Sequence, residues 1–217
     1  MRFRLTSRQL GVLLVVALAF GVLATVVFAQ DENLFGNRFK LSSRTFANNT
    51  ILPISAIHNI PGNNNLNVCS IDGTPGGNQS PELSWSGAPP NTRTFVVTTY
   101  DVTANFTHWG MYNIPGYLQG LPENAGVSGS SFGAQIVNDF GASEYDGPCP
   151  PANVAPFVHH YVFTVYALDI KLQLSGSANF PANAEALYQA LIEAGQHHHI
   201  LASASLTGLY STTPSGH

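Results

Sequence analysis

The chain has 217 residues, enough for one sizeable domain or two small ones. Only 9% of them are charged, against about 25% in ordinary globular proteins, and the formal net charge is −4. Neutralising phosphates along a nucleic acid needs a density of Lys and Arg that is absent here, which excludes that class of partner.

The N-terminal segment stands apart. Arg2, Arg4 and Arg8 precede "LGVLLVVALAFGVLATVVFA", and Val27 and Ala29 supply the small residues of a cleavage site ahead of Gln30. Basic, apolar and small residues in that order form an export signal. The apolar run is also nearly long enough to cross a bilayer. Residues 1–29 are therefore expected to be a signal peptide or a retained N-terminal membrane anchor, 30–37 a linker, and 38–213 one domain. Either way the domain works outside the cytoplasm: periplasmic, cell-surface or secreted. Without the three leader arginines the formal charge moves from −4 to −7. An anion would then have to be held by local donors, because long-range attraction is missing.

Past residue 38 there is no repeat and no low-complexity linker. Cys69 and Cys149 are an even pair, which in an exported chain reads as a disulfide, with two buried thiols as the alternative. Strands are expected over 94–101 "TFVVTTYD", 107–115 "THWGMYNIP", 159–169 "HHYVFTVYALD" and 200–210 "ILASASLTGLY". The third is apolar on both parities, so it should be covered on both faces. One helix is expected in "NAEALYQALIEAG", capped by Asn183 and stopped by Gly195. Pro/Gly/Asn-rich stretches at 59–82 and 116–156 read as long loops of the kind that carry function.

Three strand ends carry chemistry. Alternation places His159 on one face with Tyr161 and Phe163. Asp101 closes the first strand and His108 opens the second, so all can converge on one rim. Imidazole and phenol donors can surround a small oxyanion while a carboxylate fixes an imidazole's tautomer. The plain alternative is a set of separate, hydrogen-bonded strand ends. Asp101, His108 and His159 are also the residue types of a two-His, one-carboxylate metal site. "GSSFG" puts Ser131 in a G-x-S-x-G pattern, but no strand precedes it and no helix follows, as a nucleophile elbow requires. The three imidazoles of "QHHHI" point in different directions on any regular element.

The ordered series "GGNQSPELSWSGAPPNTRTFVVTTYD", "HW…NIP", "NDFG", "GPCPP", "HHYVFTVYALD" and "HILASASLTGLY" resembles the phosphatidylethanolamine-binding protein family, in its exported bacterial, Raf-kinase-inhibitor-like branch. The resemblance covers about residues 38–210. It implies a mainly β fold, a β-sandwich of antiparallel sheets with few peripheral helices, one near the C-terminus. It also implies a non-enzymatic pocket for a small phosphorylated or carboxylate ligand, phospholipid head groups included, with no cofactor. Carried over motif by motif, the ligand-binding residues are Asp101, His108, His159 and Tyr161, with Gly147 and Pro148 as one wall. Cys69 and Cys149 sit where that branch often has cysteines. A protease inhibitor working through the 116–156 loop is an alternative on the same fold. One departure matters: the family commonly has Asp-Pro-Asp-Ala-Pro where this chain has "DVTAN", so Thr103 replaces a carboxylate and two φ restraints are lost. Binding through imidazolium is expected to weaken above about pH 7 to 8.

Overall fold

Long strands form where β-branched and aromatic residues run unbroken, and short ones where the chain only touches a sheet edge. The structure is a computed structural model that describes residues 39–176 and 181–214; the expected leader (1–29) and linker (30–37) lie outside them. In chain order the elements are β1 (Lys40–Ser42), β2 (Thr50–Ile51), a 3-10 turn (Ile54–Ala56), β3 (Leu83–Ser86), β4 (Thr94–Asp101), β5 (Phe106–Pro115), β6 (Gly120–Leu121), β7 (Ala134–Gln135), β8 (His159–Leu168), α1 (Ala184–Gln196) and β9 (Ile200–Tyr210).

The strands make a three-stranded sheet, β1-β3-β6, and a six-stranded sheet, β2-β9-β8-β4-β5-β7, neither closed on itself. Among the described residues every pairing between named strands is antiparallel but one: β2 runs parallel to β9, pairing Thr50 with Gly208. The chain reaches β2 from the other sheet rather than through a hairpin, so nothing forces the antiparallel sense. Leu41, Leu83 and Trp85 from the small sheet share one core with Phe95, Val97, Trp109, Phe163 and Val165 from the large one. That shared core makes the fold a sandwich, and burying these side chains drives the two sheets together.

Among the described residues, the outer face of the large sheet is well covered at one end only. Val96 and Leu168 pack under Leu187 and Leu191 of α1. Gly110 permits the approach, because a Cβ there would lie 2.6 Å from Ile136 Cγ1 and 2.8 Å from Leu187 Cδ2. Towards the other end, Val162, Thr164 and Tyr166 are half-buried along an open groove with Tyr100 and Tyr188. The expected cover on both faces of β8 therefore holds for the Leu168 end and not for the rest.

Asn183 caps α1 as expected, accepting from the Ala186 N–H at 3.1 Å. Gly195 does not stop it. The helix runs to Gln196, and the reversal falls at His198, whose φ is 59°. His198 N–H donates to Gly195 C=O at 3.1 Å and His199 N–H to Ala194 C=O at 2.8 Å. This is the bond pattern of a Schellman cap, with histidine in the position glycine usually takes. The histidine tract ends a helix.

Candidate functional site

The β4–β8 and β4–β5 pairings bring three strand ends to one edge of the large sheet, with Asp101 opposite both Tyr161 and Phe106. There a cavity of about 210 Å³ is lined by Asp101, Ala104, Phe106, His108, Phe140, Cys149, Pro150, Pro151, His159 and Tyr161. The four side chains read from the sequence thus share one space. Gly147 and Pro148 are not among its lining residues; the three that follow them form that wall. They support it from behind. A Cβ on Gly147 would lie 2.0 Å from Ala56 C=O, and Pro148 C=O accepts from His58 N–H at 3.2 Å. Glycine lets the chain press that closely. The bonded cysteines Cys69 and Cys149 tie this wall to the 59–82 loop.

Each polar group has a fixed back and an open front. His159 Nδ1 donates to Asp101 Oδ2 at 2.6 Å. Asp101 Oδ1 accepts from the N–H groups of Thr103 and Ala104 at 2.8 and 3.1 Å. Thr103 Oγ1 accepts from His160 N–H at 3.0 Å, and Val102 N–H donates to His160 C=O at 3.1 Å. Hydrogen bonds therefore hold the "DVTAN" turn where the family's prolines would, and His160 itself faces out, exposed. His108 Nδ1 donates to the Asp146 carbonyl at 2.7 Å, and Asp146 N–H returns a bond to His108 C=O. Tyr161 is fully buried, and its hydroxyl makes no hydrogen bond of good geometry among the described residues, although the Asp101 carboxylate lies close enough to interact with it. Burial, then the nearby Asp101 carboxylate, push its pKa far above the phenol range, so it remains a neutral donor.

Sequence reading missed the layer behind the rim. The Asp146 carboxylate is buried and accepts from Asn78 Nδ2 at 3.0 Å and Asn138 Nδ2 at 2.8 Å. His58 Nε2 lies 3.7 Å away, and Phe140 packs edge-on against both His58 and His108. Asn78, which lies in the "GGNQSPELSW" stretch, has a φ of 48° and two bonds, to Asp146 and from Gly147 N–H, and so is a turn residue in service of the site. The metal alternative for Asp101, His108 and His159 finds no support in the geometry. Among the described residues no three His, Cys, Asp or Glu could hold a metal ion. Ser131 lies in an exposed bend without a flanking helix.

Burial lowers the pKa of His108, and of His58 to the same end, with Asp146 opposing in both cases. The unfolded chain therefore binds these protons near the ordinary imidazole pKa of about 6.5, while the folded protein binds them only at lower pH. Stability should be complete above about pH 6.5 and decline as pH falls towards the folded values. Urea midpoints at about pH 7.5 and 5.5 test this, the lower pH giving the lower midpoint; equal midpoints contradict it.

The family model described as phosphatidylethanolamine-binding protein matches residues 42–211. The chain belongs to that family. Within it, the chain is of the YbhB/YbcL-like branch. YbhB of Escherichia coli is 36% identical over 147 residues, spanning 64% of this chain and 85% of its own length. Protein PH1269 of Pyrococcus horikoshii is 31% identical over 198 residues, spanning 87% of this chain and 86% of its own. The crystal structure of E. coli YbcL, described as a member of the mammalian PEBP family, matches with a TM-score of 0.61 and 28% identity, covering 80% of this chain and 98% of that one. The phosphatidylethanolamine-binding fold accounts for both sheets and for the helix before β9.

Proposed function

We propose that this member of the phosphatidylethanolamine-binding protein family is an exported, non-enzymatic binder of a small oxyanion: a phosphate, a phosphorylated head group or a carboxylate. The observation that carries this reading is the buried Tyr161 hydroxyl without a well-formed hydrogen bond, in one small cavity with His108 and His159. A buried donor without an acceptor is costly, and a ligand oxygen would relieve it. The Cys69–Cys149 bond and the leader-like first segment support export, since disulfides persist outside the reducing cytoplasm. Phe106, Phe140, Pro150 and Pro151 supply apolar walls that strengthen polar contacts by excluding water. Because burial lowers His108, its part of the pH dependence starts below about 6.5, lower than the sequence alone suggested.

Calorimetric titration with phosphorylethanolamine tests the reading. Saturable binding is expected, with His159→Ala weakening it at least about tenfold through the loss of one charge-assisted bond. Absence of binding, or binding that His159→Ala leaves intact, overturns it.

A further inference from the structure

The two imidazoles of the cavity are oriented by acceptors that can only accept. The Asp146 carbonyl takes the hydrogen of His108 Nδ1 at 2.7 Å, and Asp101 Oδ2 faces His159 Nδ1 at 2.6 Å. A neutral imidazole has one N–H, so with Nδ1 carrying it each ring offers a bare Nε2 lone pair to a ligand. Among the described residues no lysine or arginine lines the cavity, and the one acid that does is Asp101. The titratable groups around His108 are Asp101, Asp146 and Tyr161; those around His159 are Asp101 and Tyr161. With both rings neutral, the Tyr161 hydroxyl is the side-chain donor left in the set. To those neutral rings an oxyanion entering alone would bring its charge against two lone pairs and a carboxylate.

We propose that the cavity takes its oxyanion together with a proton, and that Asp101 is the positioning residue that imposes this by holding His159 in its Nδ1–H form. This rests on the oxyanion reading above and specifies how it works. The proton lies between a ligand oxygen and an Nε2, on whichever is the stronger base, so a bound phosphate behaves as its hydrogen-bearing form. Burial acts in the same direction, since it lowers the pKa of His108 and so favours its neutral ring.

Asp101→Asn separates this from a merely structural role. The two backbone N–H groups of Thr103 and Ala104 both bond to Oδ1. An asparagine satisfying them with its single oxygen turns its NH₂ towards His159, donating to Nδ1 instead of accepting from it. The neutral ring must then carry its hydrogen on Nε2, as a ready donor to the anion. The cavity also loses a negative charge.

The test is calorimetry with glycerophosphorylethanolamine, whose phosphodiester does not titrate near neutrality, in two buffers of different ionisation enthalpy. The wild-type protein should take up about one proton per anion at about pH 7.5. Asp101→Asn should take up clearly fewer and should bind about tenfold tighter at about pH 8, where the proton requirement is most costly. Saturable wild-type binding without proton uptake overturns the proposal and leaves the oxyanion reading standing. No saturable binding by either protein removes both. A folded Asp101→Asn variant with wild-type uptake removes the role of Asp101, and if that variant does not fold, the wild-type proton count decides.

Discussion

Replacing Cys69 and Cys149 with serine together is expected to cost about 4 kcal/mol of stability. The two residues are 80 apart in sequence, so the bond removes a large loop's worth of freedom from the unfolded chain. What it secures is visible in the folded one. The loop around Cys69 is organised by the buried Asn67, whose Oδ1 accepts from Ile60 and Cys69 N–H, each at 3.0 Å, and whose Nδ2 donates to His58 C=O at 2.9 Å. Tyr210 Oη closes the set on Cys69 C=O at 3.1 Å. Across the bond stands the wall of Cys149, Pro150 and Pro151. Anion affinity should therefore fall along with stability. Denaturant midpoints of the double-serine variant and wild type measure the first effect, and an unchanged midpoint contradicts it.

Asp146→Ala should cost about 3 kcal/mol, again with a loss of anion affinity. The carboxylate ties together chain segments that are far apart in sequence, through Asn78 and Asn138, beside His58. Asn138 Nδ2 keeps an acceptor in Glu144 C=O at 3.0 Å, whereas truncation takes from Asn78 Nδ2 its carboxylate acceptor and from His58 Nε2 its neighbouring charge. Affinity falls because the same residue's carbonyl holds His108 in line. Asp146→Asn, which keeps one acceptor, should lose roughly half as much stability. Equal, small losses in both variants would show that the network is only a surface accessory.

The strands that organise the site were legible because they are long and β-branched. The run 94–101 is β4 and 200–210 is β9, each to the residue, while β5 and β8 differ by one residue at one end. The small sheet was invisible to periodicity, since β1 has 3 residues, β6 has 2 and β3 has 4. Strands that short carry too few alternations to separate from loop. The sandwich was inferable only from resemblance. At the site, alternation along β8 placed His159 and Tyr161 on one face, and the structure buries both there. The contributions of Phe106, Phe140 and Asp146 depend on how the 116–156 loop folds back over β5, which is set by long-range bonds such as Asp139 N–H to Thr107 C=O. Local pattern holds no record of such pairings. The helix end shows the same limit on a smaller scale: Gly195 has the residue type of a stop, yet the left-handed turn falls three residues later at His198.

Nitrogen-15 spectroscopy of the imidazole side chains during a phosphate titration examines the pocket at its own atoms. The Nε2 resonances of His108 and His159 should move towards the protonated form as phosphate saturates, while Nδ1 of both keeps its hydrogen and His197 and His198 stay unchanged. Shifts confined to His197, His198 or other exposed rings, or none at all at saturating phosphate, would mean that the cavity built by Asp101, His108, His159 and Tyr161 does not bind an oxyanion.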